Sequence, residues 1–162
     1  MHIHYISENN SILNHFLSQI RDVTIQKDSM RFRKNIERIG EVMAYELSKI
    51  LTYKEIDVQT PLGIKKTTAL EDNVVLCSIL RAGLALHTGF MNFFDDAENG
   101  FVSAMRFHPN NDDFFEIKVE YQAAPSFENK NLILIDPMLA TGQSLVAVFQ
   151  KLMAEETPKE SH

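Results

Sequence analysis

LILIDPMLATGQSL, residues 132 to 145, runs four apolar residues into an aspartate and a proline, then into small and hydroxylated residues around Gly142. The apolar run reads as a buried strand that ends at Asp136. In an open α/β sheet, ligands sit beyond the carboxyl ends of the strands, where loops into the following helices converge. A helix N-terminus there presents unpaired N–H groups and partial positive charge, so a loop of small residues lets the backbone close on a phosphate. Ala140, Thr141, Gly142, Gln143 and Ser144 are expected to form that loop, with Thr141 and Ser144 adding hydroxyl donors. Asp136 fits the same scheme, because a carboxylate at a strand end can accept hydrogen bonds from two vicinal ribose hydroxyls. Pro137 fixes the chain direction after it. Neither a Gly-Lys-Ser/Thr P-loop nor a Gly-x-Gly-x-x-Gly turn is present. Taken alone, the stretch is better read as an ordinary strand, turn and capped helix.

Two other strands change that balance. SILRAGLAL, residues 78 to 86, puts Arg81 at the end of an apolar strand, followed by Ala82, Gly83 and a helix; FVSAMR, residues 101 to 106, ends in Arg106. A guanidinium is poorly explained as core, since its charge needs a partner or solvent. Two guanidinium groups and a small-residue cradle at three strand ends suit a phosphorylated, pyrophosphate-bearing ligand. For each arginine alone, a surface ion pair is the competing reading.

The rest of the chain supports one α/β domain over residues 1–162. The apolar fraction is 44% and the charged fraction 23%, ordinary globular values. The net charge of −6 argues against nonspecific nucleic-acid binding. No run of eighteen apolar residues marks a membrane span, and MHIHYISENN lacks a secretory signal, so a cytoplasmic location is expected. The one cysteine, Cys77 in VVLCSIL, reads as a buried core thiol. Helical spacing predicts a short helix over 11–20 and a longer one from an Asp28 or Ser29 cap to Leu51. IDVQTPLGIKKTT, residues 56 to 68, predicts a hairpin arm. Strands at 74–80, 101–106, 114–121 and 132–135 alternate with helices over 83–94 and on to about Ala154, as in a mostly parallel sheet covered on both faces.

DPMLATG with Ser144, together with ILRAGL, closely resembles the uracil phosphoribosyltransferase branch of the type I phosphoribosyltransferases. The resemblance extends through MRFRKNIERIGEVMAYELSKIL, the TPLG hairpin and FEIKVEYQAAP, nearly the whole chain. It implies a type I phosphoribosyltransferase-like fold and transfer of phosphoribosyl from 5-phosphoribosyl 1-pyrophosphate (PRPP) to N1 of uracil, giving UMP and pyrophosphate. It also implies roles. Ala140 through Ser144 hold the 5-phosphate, with Pro137, Met138 and Leu139 in the same PRPP-binding loop; Asp136 holds the ribose hydroxyls; Arg81 and Arg106 hold the pyrophosphate. Gln143 stands where the family often has glycine. Mg²⁺ is implied as a cofactor bound mainly through substrate pyrophosphate, with no protein-held metal site.

One departure is expected to matter. The family reads its base with a C-terminal segment resembling Tyr-Ile-Val-Pro-Gly-Leu-Gly-Asp-Ala-Gly-Asp, and nothing here matches it. EETPKESH, residues 155 to 162, falls about where the family begins another core strand, so the chain is expected to be C-terminally incomplete relative to the family. Missing strands leave an apolar sheet edge, which favours a homodimer or higher homo-oligomer. Two further readings stay open: a non-catalytic ribose-phosphate or nucleotide-binding regulatory protein of the same fold, and a phosphoribosyltransferase for another base.

The remaining candidates read as structure. His2 and His4 alternate on an expected strand, and His15, His87, His108 and His162 are scattered surface or satisfied core histidines. Asp95, Asp96, Asp112 and Asp113 are solvated loop acids. Met30, Met43, Met91 and Met153 are expected in the core. Asn110 to Asp113 is either a flap over the pyrophosphate or a plain hairpin loop.

Overall fold

A computed structural model describes residues 3–107 and 116–162 of the chain; of Arg106 and Glu116 it describes the backbone. In chain order the elements are α1 (Ile12–Arg21), a 3₁₀ turn (Ile25–Lys27), α2 (Ser29–Ser48), β1 (Tyr53–Thr60), β2 (Gly63–Leu70), β3 (Val74–Leu80), α3 (Leu84–Met91), β4 (Glu98–Phe107), β5 (Glu116–Ala123), β6 (Asn131–Ile135), α4 (Gln143–Glu155) and β7 (Glu160–Ser161). His108 and the 110–113 loop lie outside the described residues, as does His2.

α1 and α2 start where side chains can satisfy their free N–H groups. Ser11 Oγ accepts from the Leu13 N–H at 3.3 Å and Asp28 Oδ1 from the Arg31 N–H at 3.0 Å, capping α1 and α2. The apolar spacing predicted α2 as far as Leu51, but the helix ends at Ser48. Ile50 and Leu51 donate to Leu47 and Ser48 through tighter i→i+3 bonds, which turn Leu51 into the core and leave Ile50 half exposed. β1 and β2 pair antiparallel from Tyr53–Leu70 to Thr60–Gly63 and form a separate two-stranded ribbon, the expected arm.

The main sheet has the order β5-β4-β3-β6-β7. β4, β3, β6 and β7 run parallel and β5 antiparallel, so the sheet is mixed with a parallel centre. β3 is buried along nearly its whole length because both of its faces are covered. Val74, Leu76, Ile133 and Ile135 face a core shared with α1, α2 and α3. Val75, Cys77, Ile79, Leu132 and Val102 face Val148 and Leu152 of α4. Full burial of each such aliphatic side chain contributes about 1.5–3 kcal/mol. Cys77 is a free thiol with no exposed surface, and burial pushes its pKa up to about 11.

α2 and α3 cross backbone to backbone. A Cβ on Gly89 would lie 2.1 Å from the Glu37 carbonyl oxygen, and one on Gly40 2.5 Å from that of Leu86. Absent side chains at these two positions set how closely α3 approaches α2.

Three expectations are corrected. Residues 3–5 form no strand, and His4 is exposed. Met30 and Met91 lie at the surface at 65% and 44% exposure, while Met43 and Met153 pack against the two cores. Helical spacing alone does not say which side of a helix meets the sheet. The helix predicted over 83–94 spans only Leu84–Met91; Gly83 precedes it and Asn92 follows it as caps.

Candidate active site at the strand ends

Register places the candidate residues on one edge. β3 and β6 pair with Ser78 opposite Ile135, and β3 and β4 with Leu80 opposite Ser103. Because the three strands are parallel and adjacent, the Arg81 loop, the β4 end with Arg106 and the loop opening at Asp136 all leave the carboxyl edge. A Cβ on Gly83 would be 3.0 Å from the Ile135 carbonyl oxygen, so the 81–83 turn touches the strand end that delivers Asp136. The chain leaving β3 enters α3 on one face, whereas that leaving β6 enters α4 on the other. Neighbouring parallel strands whose connections diverge in this way leave a gap between their loops, the usual ligand position in such sheets.

Arg81 and Ala82 are exposed and Gly83 is buried; the Leu80–Arg81 peptide is cis. Among the described residues Arg81 has no ion-pair partner, so the surface-pair reading finds no support there. Asp136 is half-buried, and its Oδ1 accepts from the Met138 N–H at 3.3 Å, which turns the chain after the strand. Met138, Leu139, Ala140 and Thr141 are exposed, and Pro137 is partly covered. Gly142 has φ +74° at the N-cap of α4, a left-handed conformation that side chains resist. No side chain caps α4; the Gln143 N–H approaches Thr141 Oγ1 at 3.5 Å, and Ser144 follows in the first turn. The loop thus leaves first-turn N–H groups available to an anion.

Among the described residues no three His, Cys, Asp or Glu side chains are grouped to hold a metal ion. Two grooves lie on the helical side, away from the Asp136 loop. One is lined by Ile12, Phe16, Arg38, Tyr45 and Phe93, the other by Arg33, Lys34, Glu37 and Leu84. Neither contains a residue of the strand-end constellation.

Sequence reasoning missed a polar network beneath the site. Ser78 Oγ lies 2.7 Å from His87 Nδ1, and His87 Nε2 lies 2.8 Å from Asn99 Oδ1. Ser78 and His87 are 0% and 3% exposed. A serine within an apolar strand, and a histidine between Leu86 and Phe90 on the buried side of a helix, were the available signals.

Burial holds His87 below its ordinary pKa of 6.5 despite the opposing Asn99 hydrogen bond. The unfolded chain therefore takes up this proton first, and stability is expected to decline as pH falls through about 6.5. Asp28 and Glu156 are held low chiefly by the backbone N–H groups of Arg31 and Phe127. Their contribution is present above the ordinary carboxylate range and is lost only below it, a separate acid window. Urea midpoints at pH 7.5 and 5.5 should differ in the wild type, and the difference should shrink in His87→Gln; an equal difference in both sinks the assignment.

No helix among the described residues is long and apolar enough to cross a membrane. The sequence model of the family described as uracil phosphoribosyltransferase matches residues 6–161. The uracil phosphoribosyltransferase of Porphyromonas gingivalis is 48% identical over 162 residues, all of this chain and 74% of that protein. The AQ2163 protein of Aquifex aeolicus superposes with a TM-score of 0.80 at 27% identity, over 94% of this chain and 72% of that one. A hypoxanthine phosphoribosyltransferase from Staphylococcus aureus shares the fold, with a TM-score of 0.55 at 16% identity over 80% of this chain and 60% of its own.

Proposed function

Because the chain belongs to the uracil phosphoribosyltransferase family, we propose that it transfers the phosphoribosyl group of PRPP to N1 of uracil, releasing pyrophosphate and forming UMP. It acts as one phosphoribosyltransferase domain, a pentosyltransferase. The single observation that carries the reading is the convergence of Arg81, Asp136 and the Gly142 turn on the carboxyl edge of adjacent strands, with the β4 end alongside.

The chemistry needs no protein nucleophile. As the bond from ribose C1 to pyrophosphate loosens, positive charge grows on the sugar and negative charge on the leaving group, and N1 of uracil closes the new bond on C1 as its proton passes to the departing pyrophosphate or to water. Catalysis is then positioning and preorganised electrostatics. N–H groups of 140–144 and the hydroxyls of Thr141 and Ser144 hold the 5-phosphate. Asp136 orients the ribose hydroxyls through its free oxygen, while Oδ1 stays on the Met138 N–H. Arg81 and Arg106 receive the pyrophosphate. Mg²⁺ would be carried mainly on the pyrophosphate oxygens that Arg81 and Arg106 receive, and there it would supply charge neutralisation.

Uracil-dependent pyrophosphate release in the presence of PRPP and Mg²⁺ tests the reaction, with cytosine, hypoxanthine and orotate as alternative acceptors. Calorimetric titration with PRPP alone tests the shared part. Donor binding with uracil-specific release supports the reading. No donor binding removes it, and release with another base reassigns the acceptor.

A further inference from the structure

Three elements meet at His87, and none of its contacts belongs to the proposed chemistry. Donor and acceptor roles in the network are fixed by its far end. Asn99 Nδ2 donates to the Ala97 carbonyl at 3.1 Å, which turns Oδ1 toward the ring. His87 Nε2–H therefore donates to Asn99, and Nδ1 accepts from the Ser78 hydroxyl. The neutral Nε2–H tautomer satisfies all three side chains in one direction. The atom order is that of a hydroxyl, a base and an orienting group, but Ser78 has no exposed surface, so no substrate reaches its oxygen.

The network borders the 81–83 turn. Ser78 lies three residues before Arg81, and its Cβ would be 3.2 Å from a Cβ on Gly83. The His87 backbone N–H donates to the Gly83 carbonyl at 2.8 Å, and the Gly83 N–H donates to Ile79 at 3.0 Å. Asn99 belongs to β4, the strand that carries Arg106 near its end, and Phe101 of the same strand packs on the imidazole at 4.9 Å between ring centroids. One ring thus ties β3, α3 and β4 together below the two arginines.

We infer that Ser78, His87 and Asn99 are positioning residues that hold the 81–83 turn in the conformation that receives the pyrophosphate of the donor. Resting on the functional reading above, the assignment adds side chains that never touch substrate. A turn that leaves its competent conformation part of the time binds the donor more weakly in proportion to the fraction lost.

Two readouts test it. Asn99 is solvent-exposed on its outer side, so Asn99→Ala removes the acceptor without opening the core; Asn99→Asp keeps an acceptor for Nε2–H. In the ligand-free protein, amide exchange at Gly83 and Leu84 should quicken roughly tenfold in Asn99→Ala and Ser78→Ala, with α4 amides unchanged, and should return in Asn99→Asp. Ring ¹⁵N shifts of His87 should report the Nε2–H tautomer in the wild type. PRPP affinity should fall roughly tenfold in Asn99→Ala and recover in Asn99→Asp, while the KM for uracil stays constant. Exchange that is unaltered, or that quickens across the whole domain, overturns the inference. Quickened turn exchange in a protein whose wild type binds no PRPP overturns the functional reading instead and leaves the turn-holding role in place.

Discussion

Arg81→Ala is expected to lower kcat/KM for PRPP by about 10²- to 10³-fold, the range seen when one preorganised charge-stabilising donor is removed. The side chain is exposed and has no ion-pair partner among the described residues, so its loss should change stability by no more than about 0.5 kcal/mol. Pyrophosphate release, donor calorimetry and a thermal melt separate the two effects. Arg81→Lys restores the charge but not the planar fork that grips two oxygens at once, and should recover only part of the loss. Near wild-type release in Arg81→Ala means that the pyrophosphate is held elsewhere.

Gly89→Ala is expected to destabilise the fold by about 3 kcal/mol, at the upper end of ordinary overpacking. The added methyl would meet the Glu37 carbonyl at 2.1 Å and the Glu41 nitrogen at 2.8 Å, both backbone atoms that cannot rotate away. α3 must then lift from α2, stretching the Asn92 to Glu41 hydrogen bond of 2.8 Å. For a domain near this size the melting temperature should drop by roughly 10 °C. Thr88→Ala, one residue away and exposed, serves as the control and should stay within about 0.5 kcal/mol. A Gly89→Ala protein that melts with the wild type shows that the helices do not cross this closely.

Strands with two buried faces were readable because nothing but apolar residues can occupy them. VVLCSIL and LILI stand where the unbroken runs put β3 and β6. The strand-end residues followed, since a charge that closes such a run has to emerge at the sheet edge. Helix limits were less readable. Apolar spacing records which residues reach the core, and Leu51 reaches it through a turn after α2 has ended. The methionines show the same gap from the other side: Met30 and Met91 fit a helical period yet face outward, because the direction of the stripe is set by the sheet. The Ser78, His87 and Asn99 contacts span 9 and 12 residues of sequence and depend on the α3 crossing that two glycines permit. No local pattern encodes that meeting. β7 pairs Glu160 and Ser161 in parallel with Asn131 and Leu132, within the segment where the resemblance implied that the family begins another core strand.

Cys77, sealed in the middle of β3 with its thiol pushed up to about 11, equips the molecule with a stopwatch. An alkylating reagent in solution finds no sulfur until the sheet itself comes apart, so labelling counts global openings rather than the breathing of loops. With one cysteine in the chain, a single mass increment reports each event. Variants of the turn and of the helix crossing can thus be ranked by labelling rate without any engineered probe.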